Sequence, residues 1–120
     1  MKSKHNQFQA KRVRYVQPAL LLGLYLKSSY GYELIRKIGE FGFIQGQAPP
    51  GMIYRHLRKL EEDGLVFSEW ETDGSGPAKR VYQITPDGVE ILNAWVDYMA
   101  DQERKLTKFI KLFESTVPAD

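Results

Sequence analysis

The stretch from residue 47 to residue 85 reads QAPPGMIYRHLRKLEEDGLVFSEWETDGSGPAKRVYQIT. After Pro50 and Gly51, the residues Ile53, Leu57 and Leu60 recur at i, i+4 and i+7, which places them on one face of a helix. That face suits a core, and it leaves Tyr54, Arg55, Arg58 and Lys59 pointing outward. Glu61, Glu62 and Asp63 close the helix before Gly64. Residues 65–71 and 78–85 are rich in β-branched and aromatic side chains, and TDGSGP between them supplies the glycines of a hairpin turn. A basic helix followed by a hairpin tipped with Lys79 and Arg80 offers DNA one element for a groove and another for the flanking backbone.

Upstream, residues 16–27 are nearly all apolar, with Pro18 tolerated near a first turn, so they predict a buried helix. Ser28 or Ser29 is the expected cap of the next helix, YGYELIRKIGEF, where Leu34, Ile35, Ile38 and Phe41 form the apolar stripe. Glu33, Arg36, Lys37 and Glu40 face away from it. The segment GFIQGQAPPG holds three glycines and two prolines, which interrupt the helical pattern and mark the connection within a helix-turn-helix unit. Downstream, Thr85-Pro86 reads as an N-cap with proline at the first helical position, opening a helix that extends to about residue 115.

Leu92, Met99, Leu106 and Phe113 in that last helix fall every seven residues, and Trp95 and Phe109 form a companion rail beside Val96 and Ile110. Gln102 and Glu103 interrupt the rail. At ~1.5 Å per residue the helix extends about 45 Å, more than the rest of so small a domain covers. The expected cover for its outer half is a second copy of the chain, with an intrachain lid over the first helix as the other reading.

Composition narrows the function. The chain has 120 residues, enough for one compact domain with an appended helix. It has no cysteine, so disulfides and thiolate metal sites are excluded. His5 and His56 lack partners at metal-ligand spacing, so no metal or cofactor is expected. His56 reads as a surface or partly packed side chain, with a titrating switch as the other reading. The apolar run PALLLGLYL is too short to span a bilayer, which predicts a cytoplasmic protein without a membrane partner. No nucleophile–base pair or phosphate loop suggests an enzyme.

The net charge is only +2, yet Lys2, Lys4, Lys11, Arg12 and Arg14 fall in the first fourteen residues with no acid among them. Without those five the chain stands at about −3, so any positive surface for DNA must arise from local placement. Residues 1–14 are expected to be a flexible basic arm, either simply solvated or touching phosphate, and residues 116–120 a tail. Between them lie a winged helix-turn-helix domain over 15–85 and a dimerisation helix over 86–115. The fold class is mainly α with a small β-hairpin.

Five segments in continuous order, YGYELIRKI, PPGMIYRHLRKLEEDGLV, SEWE, GPAKRVYQIT and the TPDG helix start, resemble the PadR family of winged-helix transcriptional regulators. The resemblance covers about residues 16–92. It implies a homodimeric regulator, usually a repressor, of the branch with a single C-terminal helix. It places the family's proline-glycine helix opening on Pro50 and Gly51, its tyrosine on Tyr54, its basic wing pair on Lys79 and Arg80, and its second wing aromatic on Tyr82. Three positions depart: Tyr30 stands where a histidine is usual, Met52 replaces a threonine or similar small residue, and Val81 replaces the first wing tyrosine. At Met52 the departure removes a hydroxyl that could donate to phosphate near the helix N-terminus.

The expected partners are double-stranded DNA carrying a palindromic operator, a second copy of the chain and a small aromatic or drug-like effector. Tyr54 reads as a phosphate contact, Arg55 and Arg58 as readers of guanine O6 and N7, and Lys79 and Arg80 as backbone or minor-groove contacts. Two alternatives stand beside these. Arg55, Arg58 and Lys59 could be a solvated face paired with Glu62 and its neighbours, or the fold could serve as a protein–protein interaction module without DNA binding. For the effector the candidates are Trp95 and Met99, which equally suit plain dimer core.

Overall fold

The computed structural model describes residues 15–42, 49–72 and 76–116. The basic arm, most of the connection before Pro50, part of the hairpin turn and most of the tail lie outside the described residues. The elements run α1 (Val16–Leu26), β1 (Ser29–Tyr30), α2 (Gly31–Glu40), α3 (Pro50–Glu62), β2 (Val66–Glu71), β3 (Lys79–Ile84) and α4 (Pro86–Thr116). This is the expected winged fold with one strand more than the pattern predicts.

The apolar run of α1 makes it the hub. Val16, Ala19, Leu20, Leu21 and Leu24 are buried, and the helix packs against α2, α3, β3 and α4. Leu34, Ile35 and Ile38 close the core from α2, and Ile53, Leu57 and Leu60 close it from α3, with Phe41 packed alongside. Near-complete burial of such side chains is worth about 1.5–3 kcal/mol each. The stripe read from the sequence is therefore the stripe that holds α3 down and fixes which of its side chains remain outside.

The cap of α2 differs from expectation. Neither Ser28 nor Ser29 caps it: Ser29 lies in β1 and its hydroxyl donates to the Lys27 carbonyl at 2.9 Å. Tyr30 is the N-cap residue, and its N–H donates to the Glu33 carboxylate at 2.8 Å, which satisfies one of the backbone donors exposed where the chain enters the helix. Ser29 and Tyr30 pair antiparallel with Tyr82 and Val81, giving a three-stranded sheet of order β1-β3-β2.

Gly64 ends α3 at φ +75°, a left-handed conformation that glycine adopts without side-chain strain. The Leu65 N–H then closes back on the Leu60 carbonyl at 2.9 Å. Thr85 ties this turn to the next helix: its Oγ1 donates to the Gly64 carbonyl at 2.7 Å and accepts the Gly88 N–H at 3.0 Å. Gly88 allows the approach, because a Cβ there would stand 2.1 Å from the Leu65 carbonyl oxygen. The wing and the start of α4 are thus fastened to the end of α3 through the Thr85 hydroxyl.

Only the first turns of α4 reach the core. Leu92 is 7% exposed and belongs to the chain's own core, which corrects the expectation that it lies on an intersubunit seam. Beyond it, α4 contributes to a molecule 71 Å long but only 32 Å by 26 Å across.

Candidate nucleic-acid interface

Pro50 and Gly51 form the exposed first turn of α3, and the Pro49 carbonyl accepts the N–H groups of Met52 and Ile53 at 3.1 and 3.3 Å. Met52 turns half inward against the core, so this departure from the family pattern supports packing. One turn on, the Tyr54 ring lies against the backbone of Gly31. A Cβ on Gly31 would come within 2.5 Å of that ring, so the glycine before Tyr32 is the seat of Tyr54. Depressions of about 670, 310 and 350 Å³, along α3, between α3 and the wing, and toward β1, all include Tyr54 in their walls.

The cations around this tyrosine divide into free and committed. Arg55 and Arg58 are exposed, and among the described residues neither forms an ion pair. Lys59 instead meets Asp63 at 3.4 Å, the i, i+4 pairing that a solvated face offers. Lys79 sits with its ammonium 5.4 Å from the centre of the Tyr30 ring, a cation–π contact that leaves the side chain at the surface. Tyr30 itself stacks on Tyr32 at 5.6 Å and donates its hydroxyl to Glu71 at 3.1 Å. That hydrogen bond to the Glu71 carboxylate pushes the Tyr30 hydroxyl above the ordinary tyrosine value.

Arg80, expected beside Lys79 as a backbone or minor-groove contact, is held within the chain. Its Nε donates to the Ser68 hydroxyl at 2.7 Å and its Nη2 to the Glu61 carboxylate at 3.1 Å. Glu61 was expected only to close α3. Here it joins the helix to the wing, a role that no local pattern announces because its partner lies 19 residues on. Tyr82 supports the Arg80 guanidinium from below at 5.5 Å, and burial pushes its hydroxyl above the ordinary tyrosine value.

His56 is half-buried, its Nδ1 3.5 Å from the Gln17 amide nitrogen. Burial, and then the neighbouring Arg55 charge, hold it below the ordinary histidine value, so near neutral pH it adds no cation to this surface.

On α4 the side chains Val96, Leu106, Phe109, Ile110 and Phe113 are each more than half exposed, whereas Trp95 and Met99 are half-buried. Trp95 packs edge-to-face against Tyr15 at 6.2 Å and Tyr98 at 5.9 Å. With Ile91, Ala94 and Tyr98 it lines a shallow cleft of about 390 Å³, a set that does not include Met99. Sequence reasoning found Trp95 but missed Ile91, Ala94 and Tyr98, which lie outside the series Leu92, Met99, Leu106 and Phe113. Lys105 and Arg104 pair with Asp101 at 2.9 and 3.1 Å and lower its carboxyl below the ordinary value, Lys105 chiefly.

Residues 20–94 match the Transcriptional regulator PadR-like family. The chain belongs to this family. PadR-like proteins are transcriptional regulators and not enzymes. A curated relative, transcriptional regulator Rv3488 of Mycobacterium tuberculosis, is 37% identical over 59 residues, which are 49% of this chain and 51% of that protein. The chain therefore spans about half the length of the curated relative it matches.

Among solved structures, the conserved protein TM0937, described as a potential transcriptional factor, is 34% identical with a TM-score of 0.75, covering 87% of this chain and 91% of that one. Bacillus subtilis PadR in complex with operator DNA is 25% identical with a TM-score of 0.61, covering 69% of this chain and 47% of that one. Among the described residues of the present PadR-like chain, no helix is long and apolar enough to cross a membrane.

Proposed function

We propose that this PadR-like regulator binds a palindromic operator as a homodimer in the cytoplasm, represses transcription there, and is released by a flat aromatic effector. The observation that carries the reading is the pair of guanidinium groups Arg55 and Arg58 on the exposed face of α3, neither in an ion pair among the described residues. They stand beside Tyr54 and within the same surface as Lys79 of the wing. The DNA-bound relative supports this assignment by its fold. In this reading residues 15–85 are the DNA-binding unit. Arg55 and Arg58 address guanine edges in the major groove, while Tyr54 and Lys79 hold the backbone. Pro50 and Gly51 give the duplex close access to the first turn of α3.

The dimer reading rests on the row Leu106, Phe109, Ile110 and Phe113, which a single chain leaves in water. A contiguous apolar row of this kind is a usual mark of an interaction surface. Residues 86–115 then act as the pairing helix. For the effector, the support is the cleft beside Trp95, where an aromatic ligand could stack. Release from DNA further requires that the ligand favour one spacing of the two wings, since equal affinity for both would shift nothing.

Selection of binding sites from random duplexes tests the proposal. The expected product is a palindrome with half-sites about 34–36 Å apart or a multiple of that. A pool that stays random after repeated rounds contradicts it. Light scattering tests the pairing helix: Phe109→Glu with Phe113→Glu is expected to convert a dimer into a monomer, and an unchanged mass contradicts the assignment. Trp95 fluorescence and operator affinity should both respond to at least one planar aromatic compound in a broad panel. Indifference of both removes the effector.

A further inference from the structure

The wing holds a cation whose position tells against its use on DNA. Arg80 lies opposite Trp70 in the β2–β3 ladder, and Tyr82 lies opposite Ser68, so all four side chains share one face of the hairpin. That face is continuous with buried Val66 and looks toward α3. There Ser68 Oγ donates to Glu61 Oε2 at 2.9 Å while accepting the Arg80 Nε–H at 2.7 Å. Arg80 Nη2 spans both Glu61 oxygens, at 3.1 and 3.4 Å, and closes the triangle. The guanidinium, on a side chain that is 44% exposed, also lies near two aromatic rings, Trp70 at 5.9 Å and Tyr82 at 5.5 Å. Five contacts from four residues hold this one group.

We infer that Glu61 is a positioning residue, which holds Arg80 in a latch between α3 and the wing and keeps its charge away from phosphate. The inference rests on the DNA-binding reading proposed above. Phosphate contacts supply affinity for any duplex, whereas discrimination depends on the ratio of operator to random affinity. An unlatched arginine beside Lys79 would raise the affinity for operator and random duplex alike, without reading a base and so without changing that ratio. Glu61 cancels that charge and leaves the discriminating work to Arg55 and Arg58. Because Glu61 and Arg80 neutralise one another, the pair as a whole adds nothing to the salt dependence of binding.

The test measures affinity for the selected operator and for a random duplex across about 50–200 mM salt, using the full chain. Glu61→Gln keeps the side-chain shape but releases Arg80. Its affinity for both duplexes at the low-salt end should rise by ~3-fold and its salt slope steepen by about 0.9, with the operator-to-random ratio unchanged. In the double variant Glu61→Gln/Arg80→Gln the slope should return to the wild-type value. The inference is overturned if Glu61→Gln leaves the slope unchanged, or if the double variant is shallower than wild type by about 0.9, which would mean that Arg80 already touches phosphate. Should Glu61→Gln fail to fold, the double variant alone decides on the same criterion. Wild-type protein that does not prefer the operator over random duplex would instead count against the DNA-binding reading itself.

Discussion

Arg58 on α3 and Arg80 on the wing border the same depression, yet one projects without an ion pair while the other gives its guanidinium to Glu61 and Ser68. The same split runs along α3, where Arg55 is unpaired and Lys59 reaches Asp63. Counting basic residues therefore overstates what this surface offers a polyanion. Among the described residues the acids that end α3 pair with Lys59 and with Arg80 of the wing, and not with Arg55 or Arg58. Charge that remains available therefore sits in the middle of α3, on Arg55 and Arg58.

Removing the free pair breaks the contrast most severely. Arg55→Ala combined with Arg58→Ala should weaken operator binding by about 1–3 kcal/mol for each residue in bidentate contact with a base, read by fluorescence anisotropy. Melting of the variant should be nearly unchanged, since both side chains are exposed.

Next in size is an indirect change on the free side. Gly31→Ala places a methyl group where the Tyr54 ring lies, and that ring's outer edge can swing away. The expected outcome is a loss of about 1 kcal/mol in DNA affinity, comparable to one hydrogen bond. Thermal stability should change less than affinity does. Equal affinity in Gly31→Ala and wild type would show that Tyr54 is not used.

On the committed side the effects are smaller. Lys59→Ala removes an exposed i, i+4 pair and should alter both stability and operator binding by no more than about 0.5 kcal/mol. A loss as large as that of Arg55→Ala would erase the distinction between free and committed cations.

His56 sharpens the comparison through pH. Its folded-state value lies below the ordinary one, so the unfolded chain takes up the proton first. Stability from this residue is complete above about pH 6.5 and is lost as pH falls through the depressed folded value. Melting curves of His56→Gln should show a flatter decline over that interval than wild type, and identical profiles would refute the assignment.

How far the sequence discloses these distinctions depends on the range of the interaction. The stripes of α1, α2 and α3, the Thr85-Pro86 start of α4 and the two wing strands are local patterns, and each appears within a few residues of its expected place. β1 was invisible because two residues carry no periodicity, and they form a strand only where β3 lies alongside. Leu92 keeps seven-residue step with Met99 and Leu106, so spacing could not reveal that it alone of the three reaches the core. Glu61 shows the same limit at the candidate site. Beside Glu62 and Asp63 it looks like one more solvated acid, and only the folded hairpin brings Arg80 and Ser68 to it. The seat of Tyr54 on Gly31 is likewise a contact between helices separated by the whole helix-turn-helix connection.

The most direct trial of the free pair on α3 substitutes 7-deazaguanine, which lacks the N7 acceptor, at each guanine of the selected operator in turn. Symmetric positions, one guanine for each of the two arginines in each half-site, are expected to lose about 1 kcal/mol or more with wild-type protein and nothing further with the Arg55→Ala/Arg58→Ala variant. Uniform affinity across all substituted operators, or equal losses in wild type and variant, would contradict the account.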